Sequence, residues 1–193
     1  MSFKELVIKN RSFRGFDESI KITRQQLLDM IECARLTPST RNLQPLKYYI
    51  SYTEETNAVI LSLTKWAAGL PSLNLPYENH KPTAFIVVCY DKTLVGENAT
   101  PFLKDVGIVS QTILLAATEM GLNGCMIGSF SAEKLASALS LSENLVPSLV
   151  IGLGKGDESI VITDMKDNKT GYYRDENDIH YVPKRKLEDL IIK

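Results

Sequence analysis

Histidine and cysteine are scarce in this chain, two of the first and three of the second among 193 residues. Cys33, Cys89 and Cys125 lie far apart, form no CxxC pair and have no histidine close enough to complete a zinc-type site. Neither a metal centre nor a disulfide framework is expected, and free buried thiols in a reducing compartment follow. A dominant charge is also missing: 22 basic residues face 23 acidic ones, so no overall field favours nucleic acid or an anionic membrane. No apolar run is long enough to span a bilayer. Met1-Ser2-Phe3-Lys4-Glu5 lacks the charged, apolar and small-residue order of a secretory signal, and the expected location is the cytoplasm.

Several catalytic signatures are absent as well. There is no GxxxxGK loop ending in Ser or Thr, no HExxH and no GxSxG. Gly152-Leu153-Gly154-Lys155-Gly156 follows a strand-like run, but the GxGxxG spacing and a following helix are both missing, so it is not read as a dinucleotide turn. His80 and His180 stand in polar surroundings and read as surface residues.

What the sequence does contain is material for one sizeable core, with 44% apolar and 23% charged residues, and the expectation is a single domain over 1–193 without repeats or linkers. Thr23 and Gln26 form a capping box that opens a helix carrying Leu27, Leu28, Ile31 and Ala34, which Pro38 ends. Residues 48–52 read as a strand and 54–68 as a helix. The 69–82 stretch, with Pro71, Pro76 and Pro82, reads as a long loop of the kind that serves as a lid or binding loop. The continuous apolar run 84–90 predicts a strand covered on both faces in mid-sheet. Residues 102–120 read as a buried helix with a left-handed cap at Gly121, followed by a strand at 125–128, a helix at 132–139, a strand at 149–152 and a final short helix at 187–192. Sheet and helices therefore alternate.

Two segments carry chemistry. Asn10-Arg11-Ser12-Phe13-Arg14 offers cations that can hold a phosphate, and Pro38-Ser39-Thr40-Arg41-Asn42-Leu43-Gln44-Pro45 offers the small hydroxyls and amides that the polar edge of a flat heteroaromatic ring requires. Together they point to a bound flavin.

In these segments, and over nearly the whole length, the chain resembles the FMN-dependent nitroreductase family. The family's opening pair of basic residues followed by Ser-x-Arg/Lys corresponds to Asn10, Arg11, Ser12 and Arg14, with Asn10 replacing the first basic residue. Its Pro-Ser-x-x-Asn-x-Gln-Pro motif is matched by Pro38, Ser39, Asn42, Gln44 and Pro45 without a gap. Asp105, Gly107, Gln111, Gly121 and the turn Gly128-Ser129-Phe130 are similar to its core helix and the strand end behind it, and Pro183-Lys184-Arg185-Lys186 to its C-terminal basic motif.

The resemblance implies an α+β fold of three layers, α/β/α, with a mixed central sheet, assembled as an intertwined homodimer whose C-terminal extension embraces the partner. It implies one FMN at each of two interface sites and NAD(P)H as co-substrate, working by a ping-pong hydride transfer at flavin N5 to a small-molecule acceptor such as a nitroaromatic or quinone. Arg11 and Ser12 would meet the phosphate and ribityl end, Arg14 the N1/O2 edge, and a backbone N–H of Gly128 or Ser129 the N5 atom. Pro38, Ser39, Thr40 and Asn42 would line the site shared with the partner, while Lys184 and Lys186 would stand beside the phosphate and replace the charge missing at Asn10. No protein nucleophile is required, because the flavin is the reagent. Trp66 and Tyr77 are equally suited to walling the open face and to packing. Two other readings stay open: a flavin-binding redox sensor without rapid turnover, and a specialised enone or dehalogenating reductase.

Overall fold

The structure, a computed structural model, describes residues 1–70, 72–96 and 98–192. Its main sheet is built around β5 (Leu145–Gly156), which pairs with β3 (Ala84–Asp91) on one side and with β4 (Asn123–Ile127) on the other; β2 (Leu46–Ser51) adds beyond β3, and β1 (Phe16–Asp17) pairs with the end of β5. These ladders are all antiparallel, and the parallel contact here is the single bridge from Ser12 to Gly124.

Strand β3 reads as an unbroken apolar run because both of its faces are covered. Ala84, Ile86 and Val88 point into a core shared with Leu27, Met30 and Ala34 of α2 (Arg24–Arg35) and with Val109, Ile113 and Ala117 of α5 (Leu103–Glu119). Phe85, Val87 and Cys89 point to the opposite side, towards Ile60 of α3 (Glu54–Ser62) and Leu135 of α6 (Ala132–Ala138). The result is the expected three layers, with the sheet between two pairs of helices, while the single-turn helix α4 (Lys92–Val95) follows β3 directly.

The local signals read from the sequence hold where the backbone chemistry is explicit. Thr23 and Gln26 form both halves of a capping box on α2. Gly121, at φ +75°, ends α5 in a Schellman turn, with Leu122 N–H donating to Ala117 O and Gly121 N–H to Thr118 O. The glycine run on β5 has a packing explanation: Gly152, Gly154 and Gly156 share one face of the strand, and the rings of Trp66, Phe16 and Phe13 lie directly on them.

Other boundaries shift. Helix α3 ends at Ser62, so Trp66 lies beyond it, its ring edge-on to Phe16 with centroids 6.5 Å apart. The strand expected at 149–152 is twelve residues long, from Leu145 to Gly156. Cys33 is exposed on α2, contrary to the expectation of three buried thiols; only Cys89 and Cys125 are buried. The 69–82 stretch contains no helix or strand among the described residues, and Pro71 lies outside them.

The C-terminal part forms a second, three-stranded sheet in the order β6 (Ile160–Asp164), β8 (His180–Lys184), β7 (Tyr173–Arg174), with β6 and β8 parallel. It is followed by a 3-10 turn at Leu187–Leu190 in place of the expected final helix. Among the described residues no helix is long and apolar enough to cross a membrane.

Candidate active site

The 10–14 segment leaves α1 (Phe3–Lys9) and lies along the end of β4, where Phe13 N–H donates to Gly124 O over 3.1 Å. Asn10 is 7% exposed and serves a structural purpose. Its Nδ2 donates to Leu114 O and Thr118 Oγ1, both at 3.0 Å, and its Oδ1 accepts from Gln111 Nε2, so it fastens the end of α1 to α5. A charged side chain in this slot would be buried among the partners of a neutral amide.

Arg11, Ser12 and Arg14 line a cavity of about 440 Å³, closed from the other side by Gln111, Tyr172, His180 and Lys184. Arg11 Nη2 donates to Val7 O at 2.8 Å, whereas its Nε is buried without a partner. Burial also pulls the guanidinium below its ordinary pKa. Arg14 Nη1 donates to Ser12 O at 3.2 Å, and its guanidinium carbon lies 4.9 Å from the centroid of the Tyr172 ring.

Gly128 and Ser129 follow β4 and line an adjoining cavity of about 180 Å³ with Lys65 and Trp66. Arg14, Met126 and Tyr172 belong to the walls of both cavities. The Arg11–Arg14 segment, Lys184 and the 128–129 turn are thus brought together in one chain. Lys186 is exposed and does not line either cavity. Tyr77 stands away from both, with the Arg174 guanidinium 6.0 Å from its ring centroid.

Pro38, Ser39, Thr40 and Asn42 lie elsewhere. Asp105, 2% exposed in the first turn of α5, accepts from Ser39 Oγ (2.6 Å), Thr40 Oγ1 (2.7 Å) and Thr40 N–H (2.8 Å). This anchor holds a tight turn in which Arg41, Asn42 and Gln44 all have φ near +50°. Burial pushes the Asp105 carboxyl upward, but the donors from Ser39 and Thr40 outweigh it and hold the group below its ordinary value. Pro38 and Ser39 line a separate cavity of about 150 Å³ with Gln44, Tyr48 and Val109. Asp105 and the Asn10 partners Leu114 and Thr118 are 9 to 13 residues apart on one helix, about 14–20 Å along its axis, so the two motifs do not converge within one chain.

The sequence reading missed the contribution of the C-terminal sheet. His180, read as a surface residue, is 1% exposed, because β8 is the middle strand and His180 pairs with Ile160 on one side and Arg174 on the other. Its ring lies 5.3 Å from that of Tyr172, and its Nδ1 is 3.8 Å from Glu158 Oε2, too far for a hydrogen bond. Glu158 accepts from the N–H groups of Arg14 and Gly15 and pairs with Arg174 Nη2 at 2.5 Å. Burial pushes the Glu158 carboxyl up; the Arg14 N–H, the Arg174 charge and the Gly15 N–H outweigh it and hold the group below its ordinary value. The overlooked signal was a hairpin: Tyr173-Arg174 and His180-Tyr181 flank an Asp-rich turn in which Asp175 Oδ1 accepts from the N–H groups of Asn177 and Ile179.

A family model described as the nitroreductase family matches residues 7–155. The chain belongs to that family. The match takes in the Arg11–Arg14, Pro38–Asn42 and Gly128–Ser129 segments of this nitroreductase-family chain and stops short of Glu158, Tyr172, His180 and Lys184. YdgI of Bacillus subtilis strain 168, named as a candidate NAD(P)H nitroreductase, is 23% identical over 79% of this chain and 88% of its own length. The CLA biosynthesis enone reductase of Lactiplantibacillus plantarum is 26% identical, over 86% and 91%. Among solved structures, a candidate nitroreductase of Exiguobacterium sibiricum in complex with FMN superposes with a TM-score of 0.69 at 22% identity, over 82% of this chain and 90% of that one. A nitroreductase family protein of Streptococcus pneumoniae TIGR4 also gives 0.69, at 20% identity over 86% and 96%. These superpositions show the fold: an α+β nitroreductase fold of sheet and helices.

Proposed function

We propose that this chain is an NAD(P)H-dependent flavin oxidoreductase that holds FMN against Arg11, Ser12, Arg14 and Lys184 and reduces nitroaromatic, quinone or similar acceptors. The observation that carries this reading is the partnerless Arg11 Nε, buried in the wall of a cavity flanked by two further cations. A buried donor left without an acceptor costs about 1–3 kcal/mol, and a phosphate oxygen supplies that acceptor. The cavity of about 440 Å³ suits a cofactor-sized ligand. The donor set therefore fits FMN.

When bound, FMN supplies the two-electron chemistry that links NAD(P)H to the acceptor. The chain's own residues bind and orient. Arg11, Ser12 and Lys184 hold the phosphate and ribityl end, with Lys186 contributing longer-range attraction. With FMN bound, the Arg14 guanidinium would stabilise negative charge at the N1/O2 edge, and the N–H of Gly128 or Ser129 would be the donor to N5.

In this reading the chain, 1–193, acts as one unit of a homodimer, and Pro38, Ser39, Thr40 and Asn42 address the cofactor of the second copy. Support comes from α1, which buries none of its residues and leaves Phe3, Val7 and Ile8 exposed, an apolar face suited to a partner. The Lactiplantibacillus plantarum relative, named as an enone reductase, adds α,β-unsaturated ketones to the acceptors worth testing.

The deciding experiment is FMN titration of the purified protein with size analysis, followed by NADH and NADPH oxidation in the presence of a nitroarene, a quinone or an enone. A yellow dimer that turns over at least one acceptor is expected. A protein that retains no FMN would overturn the reading; one that retains FMN but passes electrons to none of the acceptors would favour a redox sensor.

A further inference from the structure

Four residues of the C-terminal segment are buried or half-buried beside Arg14 and have no part in the chemistry above: Glu158, Tyr172, Arg174 and His180. The family match ends before all of them. Glu158 and Arg174 form an ion pair with side chains only 4% and 5% exposed, and Arg174 Nη1 reaches Asp178 Oδ2 at 2.8 Å. The other Glu158 oxygen, Oε1, accepts from the main-chain N–H groups of Arg14 and Gly15, the latter at 2.7 Å. A carboxylate taking two successive backbone donors while its second oxygen is neutralised by a buried arginine fixes the direction in which the Arg14 side chain leaves the chain. That side chain is then met at its far end. Its guanidinium lies 4.9 Å from the Tyr172 ring centroid, and the Tyr172 hydroxyl in turn accepts from Gly69 N–H at 3.1 Å.

We propose that Glu158 and Tyr172 are positioning residues for Arg14, one holding its main chain and the other its guanidinium, so that the C-terminal segment sets how the cofactor's polar edge is met. The inference rests on the flavin reading. An arginine side chain has several rotatable bonds, and a guanidinium stabilises developing charge only when it is already aimed at the place where the charge appears. Arg14 and Tyr172 stand in the wall shared by the two cavities, between the groups assigned to the phosphate and those assigned to N5. Aim at that point matters more than it would at the rim.

The test measures FMN affinity, the midpoint potential of the bound flavin and thermal stability for Arg14→Ala, Glu158→Gln, Tyr172→Leu and the Arg14→Ala/Tyr172→Leu pair. Tyr172 is only half-buried, so its variant serves if Glu158→Gln fails to fold. Tyr172→Leu is expected to raise the FMN dissociation constant about twofold to thirtyfold, the range of one cation–π contact. Both single tail variants are expected to lower the midpoint potential, in the direction of Arg14→Ala, and the pair to lower it no further than Arg14→Ala alone. A merely structural role would lower the melting temperature and leave the potential in place. Potentials unmoved in both tail variants, or fully additive in the pair, would overturn the inference while leaving the flavin reading intact; a wild-type protein that retains no FMN would overturn both.

Discussion

Ser39 Oγ donates a 2.6 Å hydrogen bond to Asp105 Oδ2, joining the turn after α2 to the first turn of α5 across 66 residues of sequence. With Thr40 donating twice to the same carboxylate, this one side chain holds a turn whose backbone includes three non-glycine residues at positive φ. Such backbone is maintained only when its surroundings over-determine it. Asp105→Ala should therefore cost about 3 kcal/mol in urea denaturation and expose the turn to proteolysis. An unchanged denaturation midpoint would remove Asp105 as the anchor.

Acid should weaken the fold through Asp105 and Glu158 together. Both carboxyls are held below their ordinary values in the folded chain, so the unfolded chain binds protons first. Their contribution is complete above the unfolded values near about 4 and is lost as pH falls through the lower folded values. Urea midpoints measured from pH 7 to pH 3 should fall in the wild type, and the fall should be shallower in Asp105→Asn and in Glu158→Gln.

Restoring the family's basic residue at position 10 should not help. Asn10→Lys places a cation where the amide now satisfies Leu114 O, Thr118 Oγ1 and Gln111, at a stability cost of about 3–5 kcal/mol. FMN titration of that variant should show no gain in affinity; a tighter complex would mean that Asn10 faces the phosphate after all.

Arg11→Ala should weaken FMN retention by about 1.5–3 kcal/mol, roughly a 10- to 150-fold rise in dissociation constant, measured by quenching of flavin fluorescence. The same substitution also removes the Nη2 contact to Val7 O, so a small loss of α1 helicity should accompany it.

The layers of the fold were legible because their signals are local and strong. The β3 run, the Thr23–Gln26 box and the Gly121 stop each encode backbone chemistry within a few residues. Asn10 lines the same cavity as Arg11, and its anchoring to α5 is a contact over 104 residues that no spacing encodes. His180 was misread for a similar reason: a histidine among Asp, Asn and Tyr reads as exposed until β8 is seen between two other strands. The two basic motifs at opposite ends of the chain do come together, at Arg11 and Lys184, whereas Pro38–Asn42 stays apart from them in a single copy.

The three cysteines differ in a way that is useful at the bench. Burial pushes the Cys89 thiol up to about 12 and raises Cys125 as well, and only a thiolate attacks a maleimide, whereas Cys33 is exposed on α2. Native protein should therefore take up one equivalent of reagent, at Cys33, without any engineering. A spin label attached there sits a few residues before the Pro38 turn, and dipolar spectroscopy between two such labels would report the subunit spacing of the proposed homodimer directly.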